Sequence, residues 1–66
     1  MTDDLCRAFA DITARLEDAH SLAVIGQQRD NTPDMQHVLI GELRSGLLGM
    51  SSILRDMSAV LDRGNR

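Results

Sequence analysis

Apolar residues return along the first part of the chain at alternating intervals of four and three: Leu5, Phe9, Ile12, Leu16, Ala19 and Ala23. A helix turns by about 100° per residue, so this alternation keeps all six on one face, whereas a strand would repeat at every second position. On the other side Asp3, Arg7, Asp11 and Arg15 follow one another at i,i+4 with alternating sign, a ladder that supports an exposed helix. Thr2 suits the N-cap, and Asp3 and Asp4 lie where the helix dipole favours negative charge. The pattern predicts a first helix over about residues 3–28.

From Gly26 to Pro33 the apolar period is lost and turn formers gather. The first helix is expected either to take Gly26 as its C-terminal cap or to run on to Arg29 and stop at Asn31. Thr32 as N-cap, Pro33 at the first helical position and Asp34 just inside form a helix start. A turn over about 29–32 is short, and a short connection makes the two helices antiparallel neighbours.

The second helix, over about residues 33–63, has the clearest pattern. Ile40, Leu43, Leu47, Met50, Leu54, Met57 and Leu61 fill successive a and d heptad positions, with Leu39, Ile53 and Val60 beside them at g. A two-stranded seam needs only a and d. The third column therefore predicts a helix with more than one neighbour, as in a four-helix bundle. At roughly 1.5 Å per residue this helix measures roughly 46 Å and overhangs its partner, which again calls for a second chain. Arg63 and Gly64 make a plausible end. Three glycines interrupt the helix. Gly46 lies on the apolar stripe, where it could admit a bulky neighbour such as Phe9, while Gly41, Ser45, Gly49 and Ser52 form a small-residue ridge on the back. Such a ridge is either a second packing surface or a tolerated soft spot that kinks the helix near Ser45 to Gly49.

Length sharpens the expectation of self-association. A chain of 66 residues is a single domain, and at this size a monomer buries only about 60% of the surface of its unfolded chain. Disulfides, a structural metal or oligomerisation usually supplement such a core. One cysteine, Cys6, excludes an internal disulfide, and two histidines without a cysteine cluster give no zinc pattern. The remaining solution is a homodimer or higher oligomer whose core is Leu5, Phe9, Ile12, Leu16, Ile40, Leu43, Leu47, Met50, Leu54, Met57 and Leu61.

Charge changes the picture in one respect. A formal net charge of −3 and a pI near 5.0 disfavour general nucleic-acid binding, which depends on neutralising phosphates. All seven basic residues are arginine, as the codon use of a GC-rich genome would produce, although arginine also suits planar recognition of phosphate or carboxylate. The acidic start Met-Thr-Asp-Asp-Leu and the absence of a long uncharged apolar run point to a cytoplasmic protein with no membrane partner.

Three constellations bear on chemistry. Glu17 and His20 form a Glu-x-x-His, the motif that, doubled and joined by further glutamates such as Glu42 here, holds di-metal centres in carboxylate bundles. However, His20 lies roughly 60° and Glu17 roughly 120° from the centre of the apolar stripe, so the two do not both point inward, and no metal or other cofactor is expected. Cys6 is remote from His20 and His37 within one chain. With no nucleophile in reach of a base and an orienting acid, no enzyme is expected. His37, Arg44 and Arg55 share one side of the second helix, a face that could lie along RNA or an acidic partner. Hairpin length, acidic balance and the expected dimeric bundle resemble the Rop-like plasmid copy-number regulators. The resemblance is of architecture, since no functional residue matches and the lysines and aromatics of an RNA-reading face are missing. It implies an RNA-binding regulator as the alternative function.

At the end of the first helix Leu22, Ala23, Val24 and Ile25 are apolar all the way round, and Met35 and Val38 lie across the turn. Leu22, Val24, Ile25, Met35 and Val38 are thus expected either to be covered by the dimer or to form a patch for another protein. The chain as a whole reads as an all-α antiparallel hairpin, dimerising into a four-helix bundle and acting without catalysis as a small bacterial regulatory or adaptor protein through protein–protein contacts.

Overall fold

In the computed structural model, which describes residues 2–64 apart from the Thr2 side chain, the chain is an all-α hairpin. Helix α1 spans Thr2–Gly26 and α2 spans Pro33–Gly64. The first helix opens one residue earlier than the sequence pattern suggests, and the expected cap, the Thr2 side chain, lies outside the described residues.

The end of α1 is at Gly26 rather than near residue 28, and Gly26 does not cap it in the left-handed conformation, because no glycine among the described residues has positive φ. Closure comes from the turn. The Gln27 amide donates to the Val24 carbonyl and the Gln28 amide to that of Ile25, both at 3.1 Å, the tighter i→i+3 pattern that commonly finishes a helix. The Asn31 side-chain amide then donates to the carbonyls of Ile25 at 2.7 Å and Gln28 at 3.1 Å. Asn31 thus satisfies orphan acceptors instead of merely marking the stop.

The start of α2 follows the pattern. The Thr32 hydroxyl accepts from the Met35 amide at 3.2 Å and its carbonyl from the Gln36 amide at 3.0 Å, with Asp34 in the first turn. The helix continues unbroken through Gly41, Gly46 and Gly49 to Gly64.

Antiparallel pairing brings Leu5 and Ala8 beside Met57 and Val60 at one end, and Leu22 and Gly26 beside Leu39 and Leu43 at the other. The half-buried positions define the seam. On α1 they are Leu5, Ala8, Ile12, Ala19 and Leu22, and on α2 Leu39, Leu43, Gly46, Gly49, Ile53 and Val60, with Met50 and Met57 buried. The seam of α2 therefore uses columns g and d, and column a is left outside it. A single layer of two helices is slender, 53 × 15 × 10 Å along its principal axes. Its radius of gyration is 15.6 Å, against about 11 Å for a compact domain of this length.

Candidate functional site

The seam accounts for only part of the apolar pattern. On α1, Phe9 and Leu16 remain 60% and 53% exposed in the single chain, and on α2 Ile40, Leu47, Leu54 and Leu61 remain between 48% and 62% exposed. These residues recur at intervals of seven, so each set is a continuous column. Counting about 100° per residue, the α1 column lies roughly 50–90° to one side of the seam centre and the α2 column roughly 50–110° to the same rotational side of its own. The two helices run in opposite directions, so the same rotational sense delivers both columns to one broad face of the hairpin.

Among the described residues that face carries no formal charge. Between its apolar columns and its edges the same count places Thr13, His20, Gln27, Gln36, Ser51 and Ser58. Arginines and carboxylates fall on the opposite face or the outer edges: Asp4, Arg7, Asp11, Asp18, Glu42, Asp56 and Arg63 surround the other broad face. Two surfaces of contrasting chemistry result, one uncharged and ridged with leucine, the other charged.

On the charged face the seam opens into a groove. At the loop end Ile25, Asp34, Met35, Val38 and Leu39 line a depression of about 280 Å³. Nearer the middle a second one, about 170 Å³, is floored by Ala19, Leu22, Leu43 and Gly46 and banked by Asp18 and Glu42 from opposite helices. Arg15 also borders it, with Nε donating to Asp11 Oδ1 at 3.2 Å. Its guanidinium lies over Gly49, where a Cβ would come within 2.9 Å of the arginine Nη1. An arginine bordering the seam is the feature that the sequence pattern misses. Its place in the three-and-four spacing from Ile12 to Ala19 was the available signal.

The other expected sites fare differently. Ile25, Met35 and Val38 do come together, but Leu22 belongs to the seam and Val24 points to the far edge of α1, so the five residues are not one patch. Phe9 is exposed and does not fill the space at Gly46, where a Cβ would meet nothing within 4 Å. Within the ridge, Gly41 is likewise open and Gly49 is approached only by Arg15. Of the Asp3–Arg7–Asp11–Arg15 ladder, Asp11–Arg15 forms an ion pair among the described residues. Glu17, His20 and Glu42 are all exposed, and Glu42 lies on the opposite face from His20. No group of three potential metal ligands occurs among the described residues. Cys6 is exposed. His37, Arg44 and Arg55 are exposed along the outer edge of α2, away from α1. No described helix is long and apolar enough to cross a membrane. No protein-family model, curated protein or solved structure matches the chain.

Proposed function

We propose that the chain is a non-catalytic interaction module that works as a homodimer, two hairpins joined through their uncharged faces into a four-helix bundle, in a regulatory or adaptor role. The observation that carries this reading is the uncharged face with its columns Phe9–Leu16–Ala23 and Ile40–Leu47–Leu54–Leu61. A surface of 5449 Å² supports it. A compact monomer of 7.3 kDa exposes about 4,200 Å², so the excess is roughly 1,300 Å². A specific interface of standard size removes about 800 Å² from each partner, which this face can supply. A second copy is suited to it because an uncharged leucine surface buries no unpaired charge against its own like.

Sedimentation of Leu47→Asp beside Leu48→Asp tests the proposal. Both leucines are more than half exposed in the single chain, so in a lone hairpin either aspartate costs within about 0.5 kcal/mol. Leu47 lies on the uncharged face and Leu48 on the outer edge of α2. The wild type and Leu48→Asp should sediment as dimers at micromolar concentration, and Leu47→Asp should dissociate or unfold. A cooperatively folded wild-type monomer would overturn the reading.

A further inference from the structure

The groove on the charged face stays open when the uncharged faces pair, and each dimer would carry two. Its floor is apolar: Ala19, Leu22, Leu43 and the bare backbone at Gly46 in the middle, and, toward the loop on the same face, a separate depression between Ile25, Met35 and Val38. Its charge is acidic on balance, three carboxylates against Arg15. Asp34 borders the depression and Asp18 and Glu42 face each other across the middle. The one arginine at its edge, Arg15, is already committed to Asp11. Asp18 and Glu42 are exposed and have no ion-pair partner among the described residues. Carboxylates on both banks of an apolar trough are complementary to a segment with apolar side chains on one side and cations flanking them.

We infer that this groove docks a basic amphipathic helix of another protein. One of its apolar side chains occupies the depression at Ile25, Met35 and Val38, and cationic side chains one to two turns away reach Asp18 and Glu42. Gly46 matters because a side chain there would close the trough where the ligand helix crosses the seam. The inference deepens the reading of the chain as an interaction module, but uses a different face from the one that pairs two copies.

The probe is a fluorescein-labelled helical peptide of roughly 14 residues, about 21 Å at 1.5 Å per residue, with leucines at i,i+4, arginines flanking them and alanine elsewhere. Anisotropy against the full chain should show saturable binding. Asp18→Asn with Glu42→Gln should weaken it about tenfold without changing sedimentation, and Val38→Asp should weaken it as well. A peptide with glutamate in place of arginine should not bind. Absence of saturable binding, equal binding of the glutamate peptide, or indifference to the Asp18/Glu42 pair would each overturn the inference. The two proposals fail separately. A dimer that ignores the arginine peptide refutes the groove alone, whereas a monomer that binds it through Asp18 and Glu42 refutes the pairing alone.

Discussion

Replacing glycines of α2 by alanine reads the surfaces of the hairpin directly. Alanine is favoured over glycine inside a helix by roughly 0.8–1.0 kcal/mol, because glycine loses more backbone freedom on folding. What a new methyl meets decides whether that gain survives. At Gly41 and Gly46 a Cβ has nothing within 4 Å, so each substitution should stabilise by about 1 kcal/mol. At Gly49 the Cβ would come 2.9 Å from Arg15 Nη1. That atom is the end of a flexible side chain, and it yields by giving up its bond to Asp11, an i,i+4 pair with both side chains 43–50% exposed. Such pairs are worth about 0.3–0.5 kcal/mol, so Gly49→Ala should keep about half the gain of the other two.

Thermal denaturation followed by circular dichroism checks this ordering, at one fixed protein concentration because the proposed self-association would make Tm depend on it. For a domain of this size 1 kcal/mol is worth about 4–8 °C. Gly41→Ala and Gly46→Ala should each raise Tm by that amount, and Gly49→Ala by about half as much. A fall in Tm at Gly41 or Gly46 would refute the reasoning. It would mean that another backbone or side chain packs against the bare helix there, as a small-residue ridge allows, and at Gly46 that the groove is occupied.

Met50 is 5% exposed and central to the seam, so Met50→Asp should abolish cooperative unfolding at any protein concentration, with loss of helical ellipticity; a folded variant would show that the seam is not the core. Adding Zn(II), Mn(II) or Fe(II) should leave Tm unchanged, since Glu17 and His20 are exposed and gather no third ligand among the described residues. A shift of several degrees that His20→Ala removes would establish a metal site instead. Reversing Arg44 and Arg55 to glutamate should leave fold and assembly intact and alter no partner binding. Salt-sensitive RNA binding by the wild type, lost in this double variant, would favour the RNA-regulator alternative.

Two antiparallel helices were legible because helix periodicity and the Thr32-Pro33-Asp34 start are local signals, and local geometry decides both. The end of α1 was less so. It depends on the Asn31 side chain folding back to carbonyls six and three residues earlier, a tertiary choice that competing stop residues at Gly26 and Asn31 leave open. The seam was legible in period but not in phase. A stripe three positions wide admits two seams a fraction of a turn apart, a with d or d with g, and the chain pairs α1 through d and g. Spacing cannot separate them, because both repeat at seven. Side-chain size carries information that spacing lacks, since Ala8, Ala19 and Gly46 all fall in the seam. For the same reason Phe9 and Leu16, expected together with Leu5 and Ile12 on one stripe, separate from them: Leu5 and Ile12 are half-buried while Phe9 and Leu16 stay outside.

This distribution of size bears on why a hairpin would be built so. Fully burying a leucine or phenylalanine contributes about 1.5–3 kcal/mol, so a hairpin shaped to stand alone gains most by turning its largest apolar side chains into its single seam. Here the seam takes nine larger apolar residues but gives four places to Ala8, Ala19, Gly46 and Gly49, while Phe9, Leu16, Leu47 and Leu54 project from the uncharged face. The same face excludes every charge that would have to be desolvated there, and the other broad face collects them. Neither feature helps a solitary hairpin, and each is what the proposed pairing through that face would require.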